Sequence, residues 1–232
     1  MGQVAGTPSR VISLLLTPLQ VQIAEIVKEL PQSEGFALAG AGALLVHGLI
    51  DRATRDLDYF TTPGEVEALA TLRDALEETF DTLDLGHTRK RDLPTFVRIE
   101  VSGGDDRCEV DLAVDYRALP AEPSQYGPTL AVRELAANKV LAVFGRAEAR
   151  DFLDLAALSG QLDLREMIEL ASEKDRGFDT AGFLDGLSAF YRLTAADFEL
   201  DDAGYERLRA TVAVWRSQLE REPPNRGIDF GR

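Results

Sequence analysis

Residues 36–61 read FALAGAGALLVHGLIDRATRDLDYFT. Phe36 to Ala39 is a short buried strand, Gly40-Ala41-Gly42 a turn, Ala43 to Leu49 a helix, and Arg55 to Thr61 a second strand. Side chains two apart on a strand share a face, so Asp56 and Asp58 are expected to present their carboxylates side by side. Bare carboxylates at that spacing repel unless something positive lies between them. A hard divalent cation does so, and magnesium takes carboxylate and phosphate oxygens together. Upstream, Gly40 and Gly42 let a phosphate approach the backbone and meet the positive end of a helix.

Working outward, Thr17-Pro18 opens a first helix, with Thr as cap and Pro in the first turn. Its buried face is Leu19, Ile23, Ile26, Val27 and Leu30. Thr62-Pro63-Gly64-Glu65 reads as a capping box that opens a helix running to about Phe80. Leu83 to Thr88, Thr95 to Val101 and Arg107 to Val114 read as strands, the last two joined by the hairpin loop Ser102–Asp106. Cys108, Val110, Leu112 and Val114 share one face, which leaves Asp111 on the polar face. If that strand neighbours the Asp56 strand, three acids converge, the layout that holds two magnesium ions about 4 Å apart around a reacting phosphorus.

Pro120 to Pro128 is rich in turn residues and is the candidate boundary. It divides an α/β domain, residues 1–125, from a helical C-terminal domain, residues 126–232. Helices are expected at 130–145, 149–159, 164–175, 180–191 and 202–221, with Asp163 to Glu166 as a further capping-box pattern and a loose tail from Pro223. Lys139 and Arg146 are seven apart and share a helix face, and Arg150 follows shortly. Such a line of cations suits a bound triphosphate.

The chain has 232 residues and a formal net charge of −15. That charge argues against a general nucleic-acid binder, which needs a basic face. It is compatible with docking one RNA end through a local basic patch. No apolar run approaches the ~18 residues of a membrane span, and the run Val11–Leu16 lacks a signal-peptide layout. The expected location is the cytoplasm. Cys108 is the only cysteine, which excludes a disulfide framework and a cysteine-rich zinc site. Arg89-Lys90-Arg91 reads as a solvated loop and His47 as a packed or capping histidine. Cys108, Tyr191 and Trp215 read as core. Arg150 and Asp154, four apart, suit a helix ion pair, and Asp151 suits a capping acid.

Gly40 and Gly42, followed by Arg52-Ala53-Thr54-Arg55-Asp56-Leu57-Asp58, resemble the first motif of nucleotidyltransferases of the AbiEii/MenT toxin type. That motif is a small-residue turn, a helix, then Arg-x-Ser/Thr-x-Asp-Leu/Ile-Asp. Lys139 to Arg146 and then Arg150-Asp151-Phe152-Leu153-Asp154-Leu155 resemble the same family's later motif. The resemblance covers about residues 35 to 160. Here Ala41 separates the two glycines, where the family pairs glycines or has Gly-Ser. The resemblance implies that Asp56 and Asp58 bind magnesium and that Asp111 is a third acid, as base or metal ligand. Thr54 would contact a phosphate or be modified by the enzyme itself. Lys139 would hold the triphosphate, with Arg146 and Arg150 nearby, and Asp151 would orient that lysine or the acceptor.

The expected fold class is α/β (α+β): a nucleotidyltransferase-like small mixed sheet flanked by helices, then a helical lobe. The expected reaction is attack of an acceptor hydroxyl on the α-phosphate of a nucleoside triphosphate. By resemblance the acceptor is a tRNA 3′ end, and the protein is a toxin restrained by a cognate antitoxin. The alternatives are a small-molecule or protein acceptor, or a non-catalytic binding module with the same fold.

Overall fold

The computed structural model describes residues 15–221. The first residues of the Val11–Leu16 run and the tail from Pro223 lie outside them. The chain divides after Ala131 into two units.

The first unit is built on a seven-stranded mixed sheet in the order β3-β4-β5-β2-β1-β7-β6. The strands are β1 (Ala37–Ala39), β2 (Asp56–Thr61), β3 (Gly86–Leu93), β4 (Phe96–Gly103), β5 (Asp106–Val114), β6 (Glu122–Ser124) and β7 (Gly127–Thr129). Among its described residues this unit has three α-helices: α1 (Pro18–Glu29), α2 (Gly40–Val46) and α3 (Val66–Thr82). Strand β2 runs parallel to β5 and antiparallel to β1.

Register follows from alternation. A slip of one residue would turn each apolar side chain to the wrong face. Ile99 lies opposite Val110, which is in register with Leu57, and Val97 lies opposite Leu112, in register with Tyr59. All six are buried. Each such aliphatic side chain contributes about 1.5–3 kcal/mol when fully buried. Helices α1 and α3 pack on the sheet through Leu19, Ile23, Val27, Leu69, Leu72, Leu76 and Phe80. The same register aligns the polar face. Arg98, Asp111, Asp58 and Ala39 form one row, and Glu100, Glu109 and Asp56 another.

Several elements differ from the sequence reading. Helix α2 begins at Gly40, three residues before the expected Ala43, so the two glycines lie in its first turn. Thr62 makes no side-chain cap; Pro63–Glu65 is a turn of 3-10 helix, and α3 starts at Val66. The missed box is at α1, where the Thr17 hydroxyl accepts from Gln20 N and Gln20 Oε1 accepts from Thr17 N, at 3.2 and 2.9 Å. The basic run Arg89–Arg91 belongs to edge strand β3 and is not a loop. This strand is exposed on both faces, so no apolar alternation reveals it. Arg89 pairs with Glu77 and Asp92, and Lys90 with Glu100. The turn-rich stretch 120–128 carries the β6–β7 hairpin, and the backbone of β7 pairs with β1.

The second unit has five α-helices among its described residues: α4 (Val132–Gly145), α5 (Ala149–Leu158), α6 (Leu164–Lys174), α7 (Thr180–Ala189) and α8 (Asp202–Arg221). Helix α4 is packed by α5, α6 and α7. Gly186 permits the close crossing of α7 on α4, since a Cβ there would lie 2.3 Å from the Val143 carbonyl oxygen. Phe152, Phe190, Phe198 and Tyr205 form an aromatic cluster beside it. Asp163 caps α6 at Glu166 N, 2.9 Å, while the Glu166 side chain pairs with Arg133. Trp215 is buried as expected, whereas Tyr191 is exposed and lies under the Arg216 guanidinium.

Candidate active site

Asp56 and Asp58 lie on the polar face of β2, between the buried side chains Leu57 and Tyr59. Two features place them. The Thr54 hydroxyl donates to Asp56 Oδ1 at 2.6 Å. At Gly40 the backbone has φ +57°, and a Cβ there would sit 1.8 Å from Asp58 Oδ2 and 2.7 Å from Asp58 Cγ. Only glycine fits: the left-handed conformation disfavours a side chain, and the space is filled by the carboxylate. Gly42 plays a different part, because its missing side chain faces Leu38 and Leu57 in the core at 3.3 and 3.4 Å. It closes helix α2 onto the sheet.

Thr54 was expected at a phosphate or as a modified residue. Here it is buried, and its proton is directed to Asp56. Gln20, which sequence reasoning missed, donates from Nε2 to the Thr54 carbonyl at 2.9 Å and is buried. The chain of bonds therefore runs from the cap of α1 through Gln20 and Thr54 to Asp56. The Thr17-x-x-Gln20 pattern is the signal that would have drawn attention to Gln20.

Asp111 is buried and in register with Asp58 on the parallel neighbour. Its oxygens accept from Arg98 Nε and Nη2 at 2.7 and 2.6 Å. Arg98 also lies 3.1 Å from Glu109. The bonds to Asp111 come first in holding the guanidinium above its ordinary range; partial burial opposes them, and the charges of Asp111, Glu109 and Asp56 assist. Arg98 was also missed, because its partner across β4 and β5 depends on register. Burial drives the Cys108 thiol up to about 12, so this core cysteine stays a thiol.

The second unit gathers another charged group. Lys139 Nζ lies 2.8 Å from Asp154 and 3.7 Å from Asp151, with both acids fully buried. Asp151 also accepts two bonds from Arg146 at 2.8 Å, and one from Glu148 N at 3.2 Å as a capping acid of α5. Burial pushes the Asp151 carboxyl up, but Arg146, Lys139 and the Glu148 amide together bring it below its usual value. Arg150 pairs with Glu148 at 3.0 Å. The expected partner of Asp154 was Arg150, yet Lys139 stands closest to it among these ion pairs. His47 Nε2 donates to the Leu130 carbonyl at 2.8 Å, a structural role.

The acid pair suits a hard cation by the chemistry of its oxygens. Among the described residues no group of three or more His, Cys, Asp or Glu is arranged to hold a metal. Two carboxylates suffice for magnesium, which commonly takes one or two of them and completes its shell with waters and substrate phosphates.

A mixed sheet with an acid pair on the strand after a short glycine-started helix belongs here to a protein of the nucleotidyltransferase class, as its family model shows. The fold is shared with the MenT4 nucleotidyltransferase toxin of Mycobacterium tuberculosis H37Rv, 18% identical over 92% of this chain and 85% of that one, TM-score 0.60. It is also shared with JHP933 of Helicobacter pylori, 18% identical over 93% and 95%, TM-score 0.51. No curated protein matches the sequence. The chain belongs to the AbiEii nucleotidyl transferase toxin family of Type IV toxin–antitoxin systems, whose family model matches residues 25–225. It is an enzyme of the nucleotidyltransferase class.

The glycines provide a graded test. Gly40→Ala is expected to displace Asp58 and lower transfer roughly a hundredfold, the cost of about 1 Å of misplacement. The left-handed backbone adds about 1–2 kcal/mol of instability. Gly42→Ala meets only flexible leucine side chains and should keep transfer within about threefold of native under the same reasoning. Equal transfer by Gly40→Ala and the native protein would show that this contact does not hold Asp58.

Proposed function

We propose that this protein uses Mg2+ and a nucleoside triphosphate to transfer a nucleoside monophosphate to the hydroxyl at a tRNA 3′ end, as the toxin of a toxin–antitoxin pair. The observation that carries this reading is the placement of Asp56 and Asp58 on one face of β2, with Gly40 closed against Asp58, in a chain of a nucleotidyl transferase toxin family. Asp56 and Asp58 would hold the ion. When bound, it supplies positive charge against the triphosphate and the developing charge on the leaving pyrophosphate. Thr54 keeps Asp56 oriented. Lys139, held by Asp151 and Asp154, is the residue the family resemblance assigns to the triphosphate, and Arg146 and Arg150 join it by their spacing along the chain. The cytoplasm is the proposed location. No helix among the described residues is long and apolar enough to cross a membrane.

The net charge of −15 favours weighing a small-molecule or protein acceptor beside RNA, because phosphate backbones need cations. Incubation with each labelled triphosphate, Mg2+ and total cellular RNA decides. Label in the tRNA fraction, abolished by a chelator, is the expected result. Label on protein or on a small acceptor, with tRNA unlabelled, removes the tRNA reading.

A further inference from the structure

We infer that Arg98 is a latch on Asp111, confining the metal-binding set to Asp56 and Asp58 although a third carboxylate stands next in the row. The inference rests on the proposed metal role of the β2 acids. Neighbouring strands lie about 4.8 Å apart, and in-register residues of parallel strands share a face, so Asp111 is the natural third ligand beside Asp58. Arg98, its cross-strand partner on the other side, takes both its oxygens in a fork. Paired bonds of this kind fix direction as well as distance. The guanidinium also reaches Glu109, the residue in register with Asp56. One cation thus sits on both acids that β5 presents beside the acids of β2.

The burial of the pair adds weight. The Asp111 side chain is 6% exposed and that of Arg98 32%. Water does not easily replace Arg98 at Asp111, since breaking the pair would leave a buried charge uncompensated. Arg98 is therefore a positioning residue that acts through Asp111 and sets how many carboxylates meet the ion. Carboxylate count is a main control of divalent-cation affinity.

Binding of Mn2+ to the full chain, followed by the loss of the free-ion paramagnetic resonance signal, tests this without reference to turnover. Asp111→Asn should bind Mn2+ within about twofold of native, because its carboxylate is already committed. Arg98→Gln should bind about fivefold to tenfold tighter as Asp111 joins the set, and Arg98→Gln/Asp111→Asn should return to the native affinity. A merely structural Arg98 would not produce tightening that the second substitution reverses. Asp111→Asn binding fivefold or more weaker overturns the latch, since Asp111 would then be a ligand with Arg98 in place. So does a folded Arg98→Gln variant whose affinity is unchanged or weaker. If Arg98→Gln does not fold, Asp111→Asn alone decides. Asp58→Asn is the separate control: native-like Mn2+ binding by it removes the metal role of the β2 acids, whereas loss of binding there with failure of the other arms removes only the latch.

Discussion

Asp58→Ala is expected to cut nucleotidyl transfer by about 10²–10³-fold, the scale seen when one preorganised electrostatic element of a reaction centre is removed. The protein should remain folded. Asp58 is half-buried, with Leu57 and Tyr59 of the same strand pointing into the core, so removing its carboxylate disturbs no apolar packing. Thermal unfolding should therefore change little while transfer collapses, a combination that separates a functional acid from a structural one. The measurement is transfer of labelled nucleotide beside a melting curve on one preparation. Toxicity and transfer at native levels in Asp58→Ala would end the catalytic account of this strand.

Lys139→Met is expected to act mainly on stability. The substitution keeps the length and apolar stem of the side chain and removes the ammonium 2.8 Å from fully buried Asp154. Breaking a buried pair by deleting one partner costs about 3–5 kcal/mol. Asp151 keeps its paired bonds from Arg146, so the loss centres on Asp154. The pH dependence has a definite sign. Asp151 has a lowered pKa in the native protein, so its contribution is present above the unfolded carboxylate value and disappears as pH falls through the folded one. In the variant, Asp151 loses the share of that lowering which Lys139 provides, so the deficit against native should shrink once the pH falls below the ordinary carboxylate range. Denaturant unfolding of both proteins at neutral pH and at about pH 3 measures this. A variant as stable as native at neutral pH, yet inactive in transfer, would assign Lys139 to substrate alone.

The limits of the sequence reading appear in particular residues. Gly40 was legible as a candidate phosphate turn, but its steric role against Asp58 appears only once β1 and β2 are paired with Ala39 beside Asp58. Thr54 was legible as a motif residue, yet its bond goes to Asp56. Strand β3 was legible only at its start, within Leu83 to Thr88; its basic second half escaped because an edge strand with two polar faces has no alternation, and its backbone pairing with β4 is a long-range fact. Asp151 was legible as a capping acid, and it accepts from the Glu148 amide; its approach to Lys139 at 3.7 Å depends on how α4 and α5 pack. For Asp154 the four-residue spacing pointed to Arg150, and α4 brings Lys139 to it as well, at 2.8 Å.

Local periodicity alone determined that Asp56 and Asp58 share a face, that alternating strands bury Val97, Ile99, Val110 and Leu112, and that the C-terminal half is helical. These follow from spacings of two and of three to four residues along one segment. Which acid lies beside which, and which cation each one meets, was decided by tertiary structure. Strand register and helix packing join residues far apart in sequence, as at Arg98 with Asp111 and Lys139 with Asp154, and no local pattern encodes those pairings.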